Sequence, residues 1–314
     1  MKIITALEEL HSFAAPCTVA LGTFDGLHLG HQDVIGTARD YAKRQGDKLA
    51  VFTFSNHPLS LICPEKTPLA LVTPEQKYEL LEAMGVDVLL DIPFDKRLAE
   101  LTPADFLENL RPLNYNCLVV GENFSFGYHG EGNSRTLVQS AADMGFKLIV
   151  RPLVSTGSTV ISSTEIRRLI SAGEVAAAAR MLGRPYSVAG QVVHGNRRGN
   201  LIGFPTANIE LEATRVAVPR GGVYAVRATV DGCVYSAMAN IGRNPTFGDV
   251  EKARLEVNLF DYSGNLYGRQ LSVAFYDFIR GERKFGSVAE LCSQLRQDKE
   301  RCQNYFRGPL AFNV

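Results

Sequence analysis

The strongest constraint on the fold is an alternation of apolar runs with amphipathic stretches through residues 17–172. Two of the amphipathic stretches open with proline and two close with glycine, as helices commonly do. Runs that are apolar on both faces and separated by helices are typical of a parallel sheet that is covered on both sides. The pattern predicts an α/β fold, a doubly wound parallel sheet with the strands CTVALGTF, KLAVFTFS, VDVLLDIPF, NCLVVGENF and KLIVRPLV. Helices are predicted at 29–45, PEQKYELLEAMG, PADFLENLR and SRTLVQSAADMG.

The pattern changes near residue 184, after one more predicted helix at 164–182. Short β-rich runs follow, and the sequences VDGC and YSGN between them predict hairpin turns. The segment 287–306 has apolar residues at helical spacing. The second half is therefore predicted to be a small antiparallel β-barrel with one packed helix, and the domains to be 1–183 and 184–314. The predicted strands are SVAGQVVH, GVYAVRATV, CVYSAMANI, RLEVNLFD and QLSVAFYDFI.

Charge and cysteine content limit the class of protein. The 33 basic residues balance the 33 acidic ones, so no excess positive charge indicates a nucleic-acid or membrane partner. The N-terminal MKIITALEEL lacks the apolar core of a signal peptide, and no apolar stretch is long enough to cross a bilayer. The six cysteines are far apart and include no C-x-x-C pair. Such spacing is typical of reduced thiols, and we expect a cytoplasmic protein.

The segment GTFDGLHLGH, residues 22–31, stands where the first strand, ending near Phe24, gives way to a helix that begins around His28. Free N–H groups and the helix dipole make a helix N-terminus suitable for phosphate, and ligands of open α/β sheets bind at this end of the strands. Glycines 22, 26 and 30 allow close approach of the backbone. His28 and His31 share one helix face and can donate hydrogen bonds to a phosphate whose charge grows in the transition state. This chemistry is that of nucleotidyl transfer.

Other interpretations of this segment are less favoured by its spacing. It lacks the G-x-G-x-x-G order of a dinucleotide-binding loop and the lysine of a P-loop. No Cys or Asp at ligand spacing completes a metal site around the two histidines. A pair of surface histidines without function is the remaining alternative.

Two further segments carry polar or aromatic residues suited to the same reaction. At 161–170, Ser163, Thr164 and the helix N–H groups offer donors to phosphate oxygens, and Arg167 adds a fork of donors. Taken alone, these residues also describe an ordinary helix cap. In VVGENFSFGYHGEGNS, alternate aromatic residues at 124, 126 and 128 are suited to stacking on a flat ring system. The alternative is that they plug the end of the sheet. VFTFSNHP at 51–58 offers a second loop at the same edge.

In the second half, the PTAN sequence places Thr206 and Asn208 on the same side of an extended segment. A hydroxyl and an amide carbonyl are hard oxygen ligands, suited to Mg²⁺ that carries a nucleotide. The strand RLEVNLFD turns Leu255, Val257 and Leu259 to one face and Glu256 and Asn258 to the other. A glutamate on a barrel wall is able to take the proton from an attacking hydroxyl. The alternative is a solvated strand face.

Together these motifs resemble a known family. Residues 22–31 and ISSTEIRRLI resemble the two signatures of the H-x-G-H nucleotidyltransferases. GFPTAN, GVYAV, NIGRNPTFG, LEVNLFD and IRGERKF follow the order of the riboflavin kinase module. The resemblance covers nearly the whole chain and is to the bacterial bifunctional riboflavin kinase/FAD synthetases. It implies that the C-terminal half phosphorylates riboflavin with ATP to give FMN. The N-terminal half would transfer AMP from ATP to FMN, giving FAD and pyrophosphate.

The resemblance also implies site residues. Adenylyl transfer would use ATP-binding residues Gly22, Phe24, Asp25, Gly26, His28, His31, Asn123, Ser163, Thr164 and Arg167, with the two histidines catalytic. Its flavin would lie against His57, Phe106 and Phe126. The kinase would bind ATP at Gly195, Arg198, Gly199, Gly203, Pro205, Thr206 and Asn208, with Mg²⁺ on Thr206 and Asn208. Glu256 would be its general base, and Arg280 and Phe285 would lie near its flavin.

The sequence departs from the family pattern in two loops. The family usually has T-F-x-P-H-P where this chain has Asn56 in TFSNHP, and Arg and Leu are common where it has Asn200 and Ile202. Two alternative functions remain. One is another H-x-G-H transferase with an unrelated barrel, against which the PTAN–Glu256 combination argues. The other is a flavin- or nucleotide-binding regulator with inactive sites, which would be expected to lack His31, Asn208 or Glu256.

Overall fold

The computed structural model describes residues 1–12, 16–195, 202–211, 215–244 and 252–308. The chain forms two compact units, and their division does not follow a single cut along the sequence. Residues 1–69 and 73–162 make the N-terminal unit, whereas residues 70–72 join the chain from Ser163 onward in the C-terminal unit. The functional boundary that the sequence predicts at residue 183 remains a prediction.

The N-terminal unit is built on a six-stranded parallel sheet in the order β1-β4-β3-β2-β5-β8. Successive residues of β2 lie on opposite faces: Val19 and Leu21 belong to one core cluster and Ala20 belongs to the other. The sheet is therefore covered on both sides, which confirms the predicted fold class. The strands of this unit are β1 (Lys2–Ile4), β2 (Cys17–Leu21), β3 (Lys48–Phe54), β4 (Val88–Ile92), β5 (Tyr115–Gly121), β6 (Ser125–Phe126), β7 (Gly132–Asn133), β8 (Lys147–Arg151), β9 (Ser155–Thr156) and β10 (Thr159–Val160).

The helices of this unit begin and end where their sequences specify. The Thr73 hydroxyl accepts the Gln76 N–H while the Gln76 side chain accepts the Thr73 N–H, which closes a capping box. Gly46 ends the first helix in the left-handed conformation. All four predicted helices are confirmed to within a few residues. The helices are α1 (Leu29–Gln45), α2 (Leu59–Ile62), α3 (Pro74–Ala83), α4 (Lys96–Ala99), α5 (Pro103–Leu110) and α6 (Ser134–Met144).

The C-terminal unit contains a closed six-stranded barrel in the order β11-β12-β15-β14-β13-β16, with antiparallel neighbours throughout. The predicted barrel is thus confirmed. The VDGC turn joins β13 to β14 with Asp231 and Gly232 both at positive φ, as a tight hairpin requires. The hairpin turn predicted at YSGN is wrong, because the strands on either side of it, β15 and β16, are not neighbours in the barrel. The strands are β11 (Tyr186–Val193), β12 (Ala207–Ile209), β13 (Gly222–Val230), β14 (Cys233–Asn244), β15 (Lys252–Leu259) and β16 (Gln270–Arg280).

Among the described residues, three helices accompany the barrel: α7 (Ser163–Ala172), α8 (Val175–Leu182) and α9 (Val288–Arg307). The predicted single helix at 164–182 is wrong, because Gly173 takes a φ of +80° and breaks it in two. The apolar face of α8 is buried and packs on β16 and β11. Helix α9 confirms the prediction for 287–306 and is capped by the Ser287 side chain, which accepts the Glu290 N–H.

Candidate active sites

The loop between β2 and α1 is shaped by the ring of Phe24. Strand β2 ends at Leu21, earlier than the predicted end near Phe24, because Phe24 takes the left-handed conformation with φ of 46°. Its buried ring lies over Gly22, where a Cβ would stand 2.8 Å from ring carbons. Gly26 also has positive φ, within the turn Asp25–Leu27. The two glycines are therefore required by the loop itself, whatever ligand approaches it.

His28 is the N-cap of α1. Its Nδ1 accepts the His31 N–H at 3.3 Å, and the two imidazole rings stack with centroids 3.6 Å apart. Helix caps are more often Ser, Thr, Asp or Asn, so a histidine here points to a second role. Because Nδ1 is an acceptor, the neutral ring carries its proton on Nε2 and is able to donate from there.

His31 lies in the first turn of α1, edge-on to the ring of Phe24. Burial, and then the neighbouring His28, hold the pKa of His31 well below its usual value. Its Nδ1 is buried and has no hydrogen-bond partner among the described residues. A buried polar atom without a partner at a helix N-terminus is costly unless a ligand satisfies it. The structure therefore brings both predicted histidines together in a setting suited to an anion.

The second predicted phosphate motif stands at the start of α7, in the C-terminal unit. The helix begins at Ser163, Thr164 is exposed, and Arg167 follows one turn later on the same face. The residues thus occupy the helix start that their sequence predicts. Their role in binding phosphate stays a prediction.

The predicted flavin residues of the N-terminal unit differ in exposure. Phe106 and Phe126 are nearly fully buried, with ring centroids 5.3 Å apart, and belong to the core beneath the sheet. Phe124 stacks on Phe126 at 5.6 Å. This packing resembles the plug that the sequence left as an alternative, and the flavin role of these rings stays a prediction. His57 is partly buried and its Nδ1 accepts the Leu59 N–H, whereas Asn123 is exposed.

Asn56, which replaces the usual family proline, joins the loops that follow β3 and β4. Its Oδ1 accepts the Phe94 N–H at 2.7 Å, and its Nδ2 donates to the Phe94 carbonyl at 3.1 Å and to the Ser60 hydroxyl at 3.0 Å. The Asn56 side-chain amide thus bonds both the N–H and the carbonyl of Phe94, as the backbone of a neighbouring strand would. A proline could make none of these bonds, so this loop is held here by different means.

In the C-terminal unit, a cavity of about 270 Å³ lies between barrel strands and α9. Four predicted kinase residues line it: Thr206, Glu256, Arg280 and Phe285. Its wall also includes Asn258, which the sequence placed on the same strand face as Glu256, and Asn240 and Glu282, which sequence reasoning missed. Asn258 is buried and its amide donates to the Pro205 carbonyl at 2.6 Å, which fixes the PTAN segment against β15.

A second cavity, of about 300 Å³, shares Thr206 with the first. Pro205 and two aromatic residues from the β15–β16 connection, Tyr262 and Tyr267, also line it. The ring of His194 lies 3.9 Å from that of Tyr267. Thr206 therefore stands on the wall of both cavities. The two tyrosines had no sequence signal, because nothing in YSGN indicates a binding wall.

The remaining predicted kinase residues fall into three groups. Asn208 lies beside Gly195, where a Cβ would stand 2.2 Å from the Asn208 amide nitrogen, so a larger residue there would displace the Asn208 side chain. Gly203 is exposed with φ of +78°. Arg198 and Gly199, together with Asn200, lie outside the described residues.

Arg280 is engaged by α9. Its guanidinium makes three contacts of 2.7–3.0 Å with the Asp298 carboxylate, which has no exposed surface. Its Nη1 donates to the Gly281 carbonyl. Sequence reasoning missed Asp298, because an acidic residue in an amphipathic helix looks like part of a solvated face.

Comparison with known proteins decides the family. A family described as FAD synthetase matches residues 10–165, and one described as riboflavin kinase matches residues 182–306. The bifunctional riboflavin kinase/FMN adenylyltransferase of Bacillus subtilis is 40% identical over 296 residues, covering 93% of each chain. The protein of the same name from Escherichia coli K12 is 34% identical and covers 98% of each chain. The chain belongs to the bifunctional riboflavin kinase/FMN adenylyltransferase family.

Membership of the bifunctional riboflavin kinase/FMN adenylyltransferases confirms the predicted class of enzyme, the order of its halves and ATP as co-substrate. A solved structure titled as a macrolide-efflux protein from Streptococcus pneumoniae is 34% identical, with a TM-score of 0.88 over 96% of this chain and 98% of that chain. It shares the whole fold. None of the helices in the described ranges combines the length and apolar character that crossing a bilayer requires.

Proposed function

We propose that the chain makes FMN from riboflavin in the C-terminal unit and FAD from FMN at the β2–α1 site, using the residues described above. The observation that carries the kinase assignment is the position of Thr206 on the wall of two adjoining cavities, one of which contains Glu256. Transfer of a phosphoryl group from one substrate to another requires that the two binding cavities adjoin, so that the reacting atoms meet at their shared wall.

In the kinase reaction, riboflavin occupies the cavity lined by Glu256 and Phe285, and ATP occupies the cavity lined by Tyr262 and Tyr267. Glu256 accepts the proton of the terminal ribityl hydroxyl while that oxygen attacks the γ-phosphorus of ATP, and ADP leaves. The Arg254 guanidinium lies 4.0 Å from the Glu256 carboxylate, on the same strand.

Mg²⁺ fits this site as an ion that arrives with the nucleotide. Across the described ranges, no three His, Cys, Asp or Glu side chains converge as a metal site of their own. The Thr206 hydroxyl and the Asn208 amide oxygen would supply two hard ligands, and phosphate oxygens would supply others, which is the usual manner of Mg²⁺ binding. The ion would neutralise charge on the transferred phosphoryl group.

In the adenylyl transfer, a phosphate oxygen of FMN attacks the α-phosphorus of ATP and pyrophosphate leaves. Charge grows on the α-phosphate, and the N-terminus of α1 with His28 and His31 supplies donors and a positive dipole to stabilise it. Ser163, Thr164 and Arg167 are assigned to the outer phosphates by family resemblance. The family's reaction requires no covalent enzyme intermediate, so positioning and electrostatic stabilisation carry the catalysis.

The test is to incubate the protein with riboflavin, ATP and Mg²⁺ and to separate the flavins chromatographically over time. FMN should form first and FAD afterwards, and supplied FMN should give FAD with release of pyrophosphate. Finding neither product would contradict the proposal. We also propose a cytoplasmic location, since the substrates include ATP and the widely spaced cysteines, with no C-x-x-C pair, are typical of reduced thiols.

A further inference from the structure

We propose that a polar ladder on α9, formed by Glu290, Gln294 and Asp298, positions Phe285 on the wall of the riboflavin cavity and so sets the affinity for riboflavin. The inference rests on the proposed assignment of that cavity to riboflavin. The three ladder residues are spaced four apart and therefore lie on one face of the helix. That face is directed at the segment 280–286, which carries Phe285.

One end of the ladder is the buried pair of Asp298 with Arg280. Both carboxylate oxygens accept from the guanidinium, and Arg280 is itself only 19% exposed. A fork-shaped guanidinium held at two points on a buried carboxylate has little freedom to turn. Because Arg280 is the last residue of β16, this pair fixes the point at which the segment leaves the barrel.

The other end of the ladder holds the far part of the segment. The Glu290 carboxylate accepts from the Arg283 guanidinium and, at 3.0 Å, from the Gly286 N–H. An exposed ion pair alone is worth little, but a backbone N–H bonded to the same carboxylate adds a directional restraint. Phe285 lies between these two anchored residues in sequence.

Gln294 joins the two ends. Its Oε1 accepts from Arg283 at 3.3 Å, and its Nε2 donates to Asp298 Oδ1 at 3.0 Å. The amide is suited to this position because it bridges a donor and an acceptor with no charge of its own. Removing it would uncouple the two ends without leaving an unpaired ion.

The ladder acts on Phe285 through the two arginines that it holds. The guanidinium carbons of Arg280 and Arg283 lie 5.8 and 5.1 Å from the centroid of its ring, within range of cation–π attraction. All three side chains line the cavity. An aromatic wall fixed before the flavin arrives costs less ordering on binding, which lowers the apparent dissociation constant.

The test compares Gln294→Met with Gln297→Met in the full-length protein. Both remove an amide from the same helix, but Gln297 is exposed and makes none of the ladder's hydrogen bonds to the segment 280–286, so it is the matched control. Gln294→Met should raise the KM for riboflavin about fivefold, the effect of losing roughly one net hydrogen bond. The kcat of the kinase, the KM for ATP and the adenylylation of supplied FMN should stay unchanged, and Gln297→Met should resemble the wild type.

Each of the following results overturns the proposal. Equal KM values for riboflavin in the two variants would show that the ladder does not set flavin affinity. A lower melting temperature with parallel loss of both reactions would show a purely structural role.

Phe285→Ala separately tests the assignment of this cavity to riboflavin. If it leaves the KM for riboflavin unchanged, the cavity is not the riboflavin site and the ladder proposal fails with it. If it raises this KM while Gln294→Met does not, only the ladder proposal fails.

Discussion

Asn208 lies directly opposite Glu256 in the antiparallel pairing of β12 with β15. On its other side, Glu256 is paired with Asn240 of β14, so the carboxylate is flanked by two amides across three adjacent strands. Because side chains alternate along a strand, a slip of one residue in this register would turn Glu256 into the barrel interior. The closed barrel, rather than any loop, therefore determines where the proposed general base stands.

Glu256→Gln tests that role with a nearly isosteric change. The kinase rate should fall by about 10²–10⁴, the usual contribution of a general base, while FAD formation from supplied FMN stays close to normal. Initial rates of both reactions on the same preparation provide the measurement. A kinase rate within a fewfold of the wild type would reduce Glu256 to an ordinary strand residue.

His31→Ala should have the converse effect. Loss of one donor to the growing charge on the α-phosphate should lower the rate of adenylylation by about 10²–10³, with riboflavin phosphorylation retained. The reaction is followed by FAD formation from supplied FMN and ATP. Adenylylation at the wild-type rate would remove this imidazole from the mechanism.

His28 offers a way to separate folding from catalysis. His28→Asn should keep the N-cap of α1, since asparagine is among the best capping residues, but should lose the imidazole donor and with it adenylylation. His28→Ala should lose both the N-cap and the imidazole donor, and the lost cap should cost about 1 kcal/mol of stability. Thermal melts and rates of the two variants give the comparison, and an active His28→Asn protein would show that capping is the only function of this residue.

The lowered pKa of His31 predicts how stability depends on pH. Below its ordinary pKa of 6.5, the unfolded chain binds a proton that the folded His31 does not, so the free energy of unfolding should fall as the pH drops below that value. Above it, this contribution should be fully present. Melting temperatures on either side of pH 6.5 test this, with His31→Gln as a control whose decline should be smaller. An equal decline in both proteins would contradict the low pKa.

The packing of α8 predicts how the chain can be divided. A fragment that starts at Ser163 should be more stable than one that starts at Arg184, because α8 buries Val175, Met181 and Leu182 against the unit that contains the barrel. Burying each such side chain is worth about 1.5–3 kcal/mol. Urea unfolding of the two fragments, with turnover of riboflavin, is the measurement. Equal stabilities would show that α8 is dispensable to the barrel.

Much of the architecture was predictable from local patterns. The five main strands and four helices of the first half follow from periodicity and from signals such as the Thr73–Gln76 box, because these act within a few residues. The break at Gly173 was missed since one glycine inside a helical pattern is often tolerated. The error at YSGN arose because a turn sequence indicates a reversal but not which strands become neighbours.

The sites were predictable only as far as they consist of short motifs. His28 and His31 stand in one such motif, and the structure places them together. Glu290, Gln294 and Asp298 were not predictable, because polar residues at this spacing are typical of a solvated helix face. Their partners become visible only when the chain after β16 folds back onto α9.

The closed barrel has a consequence for association between molecules. Each of its strands has two neighbours, so it presents no unpaired backbone row to another chain. The parallel sheet differs, because β1 and β8 are its edges. Strand β1 has only three residues, and β8 begins with Lys147 and ends with Arg151, features by which natural proteins discourage the addition of a foreign strand. The hazard of edge-to-edge aggregation therefore falls on the parallel sheet rather than on the barrel, and charge and brevity protect the edges of that sheet.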